Sequence, residues 1–337
     1  MPVRLKDIAD DLNLSKMTIS KVLRGQADVS AATKARVLQR AKELNYRPNI
    51  TARSLRTGQT FTMGLVVPSI GEMHLSGVAQ GIGQIVRPAG YGLVICPAQN
   101  DPELEQRQIE LLLARQADVL FIVSVQEGSS SLEQLCKEHP MPIIFLNRRF
   151  PGTTAGFVGT DEEEVGRLAT EHLIASGCKR IAYLRGPRTS VGDLRYSGFR
   201  RALSEAGATF HAEMVIDAMG AETAEYKHGY EGAQRLLAGR NRPTGILAYT
   251  DMMAVGALDA SLARGLKVPE EIAIVGSGND SKLCQMRVPL STVEIPAYEI
   301  GQRAGRMALR LVSDMNAAGP RNVLVSPKLL VRVSSKR

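Results

Sequence analysis

The sequence predicts two architectures in one chain: a small all-α helix-turn-helix head, then an α/β body of two lobes built on parallel sheets. Three observations carry this. Residues 1–60 hold 12 Lys and Arg against 5 Asp and Glu, while the whole chain of 337 residues has a net charge of +8, so the remainder is close to neutral. Inside the basic stretch, apolar residues recur at helical spacing in short blocks separated by a turn signal. Beyond about residue 61, short apolar runs alternate with amphipathic helical stretches, the pattern of βαβ units and a parallel sheet.

In the head, Leu5, Ile8, Ala9 and Leu12 share one face of a first helix. Asn13 follows, a residue that tolerates the left-handed backbone of a sharp turn. Ser15 is placed to cap a second helix from Lys16 to about Leu23. Ile19, Val22 and Leu23 form its apolar side and leave Lys16, Met17, Ser20 and Lys21 outward. Gly25 stops it. Ser30 caps a third helix running to about Asn45, with Val37, Leu38, Ala41 and Leu44 as its predicted buried face. Pro48 disfavours helix at Arg47 and sets apart a short segment, 50–55, which Asn49 is placed to cap and Thr57-Gly58 to end. Taken alone, that segment reads as an ordinary polar linker with a stray leucine.

In the body the predicted strands are FTMGLVVP, YGLVICPA, ADVLFIVS, MPIIFLN, KRIAYLRG, TGILAYT and EIAIVGSG. Predicted helices span 75–88, 102–116, 161–176, 197–205, 229–237 and 252–264. A body of roughly 275 residues is expected to form two lobes. After PLSTVEIP the chain is expected to cross to the first lobe with a helix from Ala297 to about Leu311, and NVLVSPKLLVRVSS to return to the second as strands. The predicted partition is 1–46 for the head, 47–60 for the linker and 61–337 for the body. The first lobe takes about 61–160 and 291–322, the second about 161–290 and 323–337.

A basic head on a near-neutral body is the electrostatic footprint of nucleic-acid binding. In a helix-turn-helix the N-terminal end of the second helix meets base edges in the major groove. Such patterns also occur in bundles that never touch DNA; the charge asymmetry and the N-terminal position favour the DNA reading. Ligands of doubly wound folds sit beyond the carboxyl ends of the strands, and those ends are polar here: VVPS, FLNRR, LRGPR, AYTD and GSGND.

The runs KDIADDLNLSKMTISKVLRG, VSAATKARVLQRAKELNYRPN, ITARSLRTGQT and MGLVVP resemble the LacI family of bacterial repressors across head, linker and, more loosely, the whole body. Asn13 stands where many members have Gly. The resemblance implies a homodimer on palindromic double-stranded operator DNA, with Lys16, Met17 and Lys21 reading bases and Thr18 and Ser20 near phosphates. Lys6, Ser15 and Asn49 complete the implied contacts. Lys can donate to guanine O6 and N7, and Met offers apolar contact to a thymine methyl; the Lys-Met pair is similar to the gluconate-repressor branch. The segment 50–55 becomes, by resemblance, a hinge helix with Leu55 as a minor-groove wedge and Arg53 and Arg56 near phosphates.

For the body the resemblance implies a periplasmic-binding-protein-like effector domain with helix 75–88 in the dimer surface. Arg195 would bond ligand hydroxyls or a carboxylate. Thr250-Asp251 stands for the usual Asn-Asp pair, Thr250 being a departure. GSGND leaves open whether Asn279 or Asp280 faces the ligand. Ser69, Asn147, Arg148 and Arg188 are candidates by location. Because arginines take carboxylates bidentately, the cluster Arg148, Arg149, Arg185, Arg188 and Arg195 suggests a sugar acid such as gluconate or 2-ketogluconate. Pairing of these arginines with Asp193 or Glu162 at the lobe rim is the equally open alternative.

The expected function is thus repression of a sugar or sugar-acid utilisation operon under allosteric small-molecule control, in the cytoplasm and without a cofactor. A solute-binding protein would need an export signal and no basic head; Met1 leads straight into the head and no apolar run approaches about 18 residues. A carbohydrate-acting enzyme is the other rival. GQGIGQ (Gly81, Gly83) and GSGND (Gly276, Gly278) do not complete a dinucleotide fingerprint, and no GKS/GKT loop, GxSxG elbow or HExxH occurs. The acidic run 161–164 sits at a predicted helix start, where carboxylates suit the dipole. Cys96, Cys136, Cys178 and Cys284 are widely spaced and read as reduced thiols with no metal site.

Overall fold

The computed structural model describes residues 3–23, 28–46, 54, 57–71, 73–126, 128–150, 152–217, 224–280, 286–314 and 321–337. The chain divides into two compact units, Met1–Thr60 and Phe61–Arg337.

The head consists of α1 (Leu5–Leu12), α2 (Lys16–Leu23) and α3 (Ala31–Glu43). Asn13 ends α1 in the left-handed region at φ 52°, as its side chain permits. Ser15 Oγ accepts the Thr18 N–H at 3.0 Å, and Ser30 Oγ accepts the Thr33 N–H at 3.3 Å, so both predicted caps form. Ile8, Ala9, Ile19, Val22, Val37 and Ala41 make the buried centre, with Leu5, Leu12, Leu23 and Leu44 packed around it. Arg40 fastens α3 to α1 through Asp11, at 2.6 Å. Leu38 departs from expectation: it is 45% exposed. One residue is about 100° around a helix, so the line Val37, Ala41, Leu44 faces inward and Leu38 turns off it. Gly25 and the hinge segment with Asn49, Arg53, Leu55 and Arg56 lie outside the described residues.

In the body, β1 (Thr62–Val67), α4 (Met73–Val86), β2 (Gly92–Pro97), α5 (Pro102–Ala114), β3 (Val119–Ile122), α6 (Ser130–Glu138), β4 (Ile143–Leu146) and β5 (Gly156–Thr160) build the first lobe. The second follows with α7 (Glu162–Ala175), β6 (Ile181–Arg185), α8 (Ser190–Glu205), β7 (Val215–Asp217), α9 (Glu225–Ala238), β8 (Gly245–Ala248), α10 (Asp251–Ala263), β9 (Ala273–Gly278) and β10 (Ser291–Glu294). Then come α11 (Ala297–Ser313), β11 (Asn322–Val325) and β12 (Lys328–Leu330). The first sheet runs β11-β5-β4-β3-β1-β2 and the second β12-β10-β9-β8-β6-β7. Pairings are parallel except β12 against β10.

This topology corrects the predicted lobe boundaries. β10 pairs with β9, so 291–294 belong to the second lobe, and β11 pairs with β5, so 322–325 stay in the first. Only β12 of the two final strands returns to the second lobe. β5, β7 and α6 were not predicted: AGFVGT is broken by glycines, β7 has three residues, and the α6 segment is mostly polar. Helix α8 begins seven residues before its expected start, at Ser190, because Thr189 Oγ1 caps it by accepting the Gly192 N–H at 3.3 Å. Helix α4 contains Gly81, whose missing Cβ lets the Tyr298 carbonyl approach to within 2.2 Å of where it would stand; packing against α11 thus accounts for that glycine.

The chain passes between sheets from β5 into α7, from β10 into α11 and from β11 into β12. The first two crossings start at carboxyl ends of parallel strands, and β12, being antiparallel, begins at the carboxyl edge of its sheet. Three short crossings therefore bring the two carboxyl edges face to face. Apolar strand residues such as Leu65, Phe121 and Ile144 in one lobe, and Leu184, Ile246 and Ile274 in the other, form separate cores behind those edges.

Candidate functional site

On the head, Met17 is 69% exposed and Lys16 is exposed at the start of α2. Lys16 has no ion-pair partner among the described residues. Ser15 is occupied as the cap, and its Oγ also lies 2.9 Å from Thr18 Oγ1. Lys21, one turn further along, is paired with Asp28. Lys6 is exposed on α1, and Thr18 and Ser20 are half-buried on α2. Lys16 and Met17 thus stand together, exposed, at the start of α2, whereas Lys21 is held by a carboxylate.

In the body, the second lobe's carboxyl edge is organised around Arg195, which α8 carries and whose side chain is only 8% exposed. Its Nε donates to Glu162 Oε2 at 2.6 Å, and Nη1 donates to the Tyr249 carbonyl at 2.7 Å and to Ser277 Oγ at 3.1 Å. The guanidinium lies over the Tyr249 ring, 4.6 Å from its centroid. Two glycines make this possible. A Cβ on Gly166 would stand 2.0 Å from the Arg195 carbonyl, and one on Gly198 1.9 Å from the Glu163 carbonyl, so α7 and α8 approach at backbone distance and bring Glu162 onto Arg195.

The other second-lobe candidates are tied down as well. Arg185 bonds Asp193 and lies 3.6 Å from Asp217, and Arg188, 74% exposed, reaches Asp217 at 2.9 Å. Thr250 caps α10 by accepting the Met253 N–H. Asp251 is buried, accepting from Thr292 Oγ1 at 2.6 Å and from the Asp280 N–H at 2.9 Å. Burial pushes its carboxyl up and those hydrogen bonds oppose the shift. The Asn279 amide is held at both ends: Nδ2 donates to Glu294 and Oδ1 accepts from Arg332 Nη2 at 2.8 Å.

The first lobe offers an uncharged edge. Asn147, in the left-handed region at φ 61° beyond β4, is 2.8 Å from His74 Nε2 through its Nδ2, and its Oδ1 is buried without a hydrogen-bond partner. Either orientation of the amide leaves one of its ends unsatisfied, a state that buried polar groups rarely keep without a ligand or water. Burial pushes the His74 imidazole down to about 4, and the Arg195 cation across the cleft adds to the effect. Arg148 Nη1 donates to the Ser124 carbonyl, and its charge also reaches the buried Glu105, which accepts from Ser124 Oγ and the Val125 N–H. Ser69 accepts the Gly71 N–H in the loop after β1.

The structure brings Asn147 and Arg195 to facing edges, with Arg148 beside the first. It turns the Asp251 and Asn279 side chains into structural bonds and leaves Arg188 at the rim. His74, Tyr249 and Ser277 were missed by sequence reasoning. Tyr249 lies in the predicted strand end AYTD and His74 in the stretch predicted as loop beyond the first strand, so the carboxyl-edge rule applied to every polar residue there would have found them.

Residues 4–49 match the family described as bacterial regulatory proteins, lacI family, and residues 170–335 match the periplasmic binding protein-like domain. The HTH-type transcriptional repressor PurR of Mannheimia succiniciproducens is 29% identical over 334 residues, covering 99% of this chain and 98% of the relative. The lac repressor dimer bound to operator and the anti-inducer ONPF superposes with a TM-score of 0.85 at 26% identity, over 99% of both chains. The transcriptional regulator CelR in its cellobiose complex gives 0.73 at 26% identity, over 98% of this chain and 99% of that one. Among the described residues no helix is long and apolar enough to cross a membrane. Head, two-lobed body and relatives agree throughout the chain: it belongs to the LacI family, a DNA-binding transcriptional repressor with a ligand-binding body.

Proposed function

We propose that the protein represses a carbohydrate-utilisation operon and that its effector is a compact, neutral, hydroxyl-rich molecule bound between Arg195 with Tyr249 on one lobe and His74 with Asn147 on the other. The observation that carries the effector class is charge pairing: Arg185, Arg188 and Arg195 each already face a carboxylate. A sugar acid such as gluconate would have to compete with those acids, whereas a hydroxyl can take the unsatisfied end of Asn147 and, with its own lone pair, the free donors of Arg195. The cellobiose complex of a structural neighbour supports a sugar.

On the DNA side, Lys16 and Met17 read bases, and Lys6, Ser15, Thr18, Ser20 and Lys21 complete the head's contacts on a palindromic operator held by a homodimer. The hinge residues Asn49, Arg53 and Leu55 act in the adjoining minor groove. Phosphate contacts give salt-dependent affinity and the base contacts give specificity. Effector binding shifts the two lobes relative to one another and thereby changes operator affinity.

The test is calorimetric titration of the full-length protein with glucose, cellobiose, gluconate, 2-ketogluconate and a purine base, followed by operator binding with each ligand present. Binding of a neutral sugar with a change in operator affinity is expected. Tight binding of gluconate with no response to either neutral sugar overturns the effector class and restores the sugar acid.

A further inference from the structure

The amino edge of the second sheet, at the far end of the strands from the cleft, concentrates positive charge that neither cleft nor head uses. Lys179 and Arg180 precede β6, Arg242 precedes β8, Arg264 and Lys267 lie between α10 and β9, and Arg337 folds back beside them. Hydrogen bonds gather four of them, Lys179, Arg180, Arg242 and Arg337, around Thr244. Arg180 Nε donates to the Arg242 carbonyl at 2.8 Å, and the Lys179 and Arg180 N–H groups both reach Thr244 Oγ1. Arg337 donates to the Thr244 carbonyl at 2.8 Å and to the Pro269 carbonyl at 2.7 Å, and Arg264 donates to the Leu237 carbonyl at 3.0 Å.

None of the six makes an ion pair with a carboxylate among the described residues. Glu271, the nearest acid in sequence to Lys267 after Glu270, uses Oε2 on the Lys267 N–H. Five of the six are exposed and Arg180 is half-buried. In a body that is nearly neutral as a whole, this edge is a local excess of cations. Several of them are already fixed by backbone carbonyls, which lowers the entropy lost when an anion binds.

The composition of the edge selects the anion. Within 176–180, 239–244 and 263–271 no large apolar side chain is exposed, and Leu262 and Val333 border the edge only as single exposed residues, which is not the apolar cluster that anchors protein–protein interfaces. No aromatic residue occurs in those segments, so there is no platform on which single-stranded bases could stack. A polar, arginine-rich, positive surface is what a duplex phosphate backbone requires. We propose that this edge is a second, sequence-independent contact for double-stranded DNA, separate from the operator-reading head. Bound at its operator, the repressor meets further duplex at high effective concentration, and the edge would hold it and bridge two DNA segments.

The experiment uses full-length protein on an immobilised operator duplex and measures capture of a second, labelled duplex lacking the operator. Capture that weakens steeply with salt is expected. The combined Lys179→Gln, Arg242→Gln, Lys267→Gln variant should capture at least ten-fold less, and its log–log salt slope should fall by about 3, at roughly 0.9 per lost phosphate contact. Its operator affinity and unfolding midpoint should match those of the unaltered protein. Absence of second-duplex capture by the unaltered protein overturns the proposal, as does equal capture by the variant. If polyglutamate binds in a manner the variant abolishes and duplex does not displace it, the edge serves an acidic protein surface instead and the proposal is equally lost.

Discussion

The head and the cleft of the body treat positive charge in opposite ways. At the start of α2 in the head, Lys16 is exposed with no carboxylate paired to it among the described residues. In the cleft, Arg195 is enclosed and bound to Glu162, and Arg185 and Arg188 are held by Asp193 and Asp217. Open charge suits a polyanion, because binding releases condensed counterions. Enclosed, paired charge attracts anions weakly but fixes donors in place. The same residue class therefore serves attraction at one site and orientation at the other.

The largest expected effect breaks the enclosed pair. Arg195→Ala leaves Glu162 buried without its cation and should cost about 3–5 kcal/mol of unfolding free energy, read by urea denaturation, together with effector binding. Replacing both partners, Arg195→Met with Glu162→Leu, should recover most of that stability without recovering the effector. If Arg195→Ala unfolds like the unaltered protein, the pair is not enclosed as described.

The open charge should show the reverse separation. Lys16→Ala should weaken operator binding by about 1–3 kcal/mol and change stability by no more than about 0.5 kcal/mol. Lys21→Ala should lose less affinity, because any contact of Lys21 with DNA would first have to displace Asp28. Fluorescence anisotropy at one fixed salt concentration compares the two; equal losses would remove the significance of the Asp28 pair.

Between these extremes lies His74, uncharged and held near Asn147. Its folded pKa of about 4 lies below the ordinary 6.5. Between those pH values the unfolded chain carries a proton that the folded chain does not, so stability rises with pH through the window and is lost as pH falls. The effect should be about 2 kcal/mol at pH 5. Urea midpoints at pH 5 and pH 7 should therefore differ less in His74→Gln than in the unaltered protein. An identical pH dependence in the variant would show that His74 titrates normally.

What the sequence made legible followed periodicity and short-range chemistry. The α2 boundaries, the Ser15 and Ser30 caps and the turn at Asn13 depend on neighbours within four residues. The main parallel strands were visible because burial on both faces makes them continuous apolar runs. β10 and β11 were assigned to the wrong lobes because sheet membership depends on partners β9 and β5, distant in sequence. Asp251 and Asn279 sit where the family pattern points, yet their bonds to Thr292, Glu294 and Arg332 arise from tertiary contacts that no local pattern encodes. The arginine cluster posed the same difficulty: spacing revealed the cations, and only the fold revealed Glu162, Asp193 and Asp217 against them.

The smallest effect tests the one misplaced core residue of the head. Sequence reasoning put Leu38 beside Val37 in the buried face of α3; the structure leaves Leu38 at 45% exposure and buries Val37 completely. Leu38→Gln should therefore change the unfolding free energy by no more than about 0.5 kcal/mol, while Val37→Ala opens the small core and costs clearly more. A buried leucine truncated to alanine costs about 2–5 kcal/mol. If Leu38→Gln approached that range in free protein, α3 would be rotated toward the face that periodicity alone suggested. If it were silent in free protein but weakened operator binding, Leu38 would be covered in the DNA-bound state, and the contrast between open head and enclosed cleft would extend to apolar surface as well as to charge.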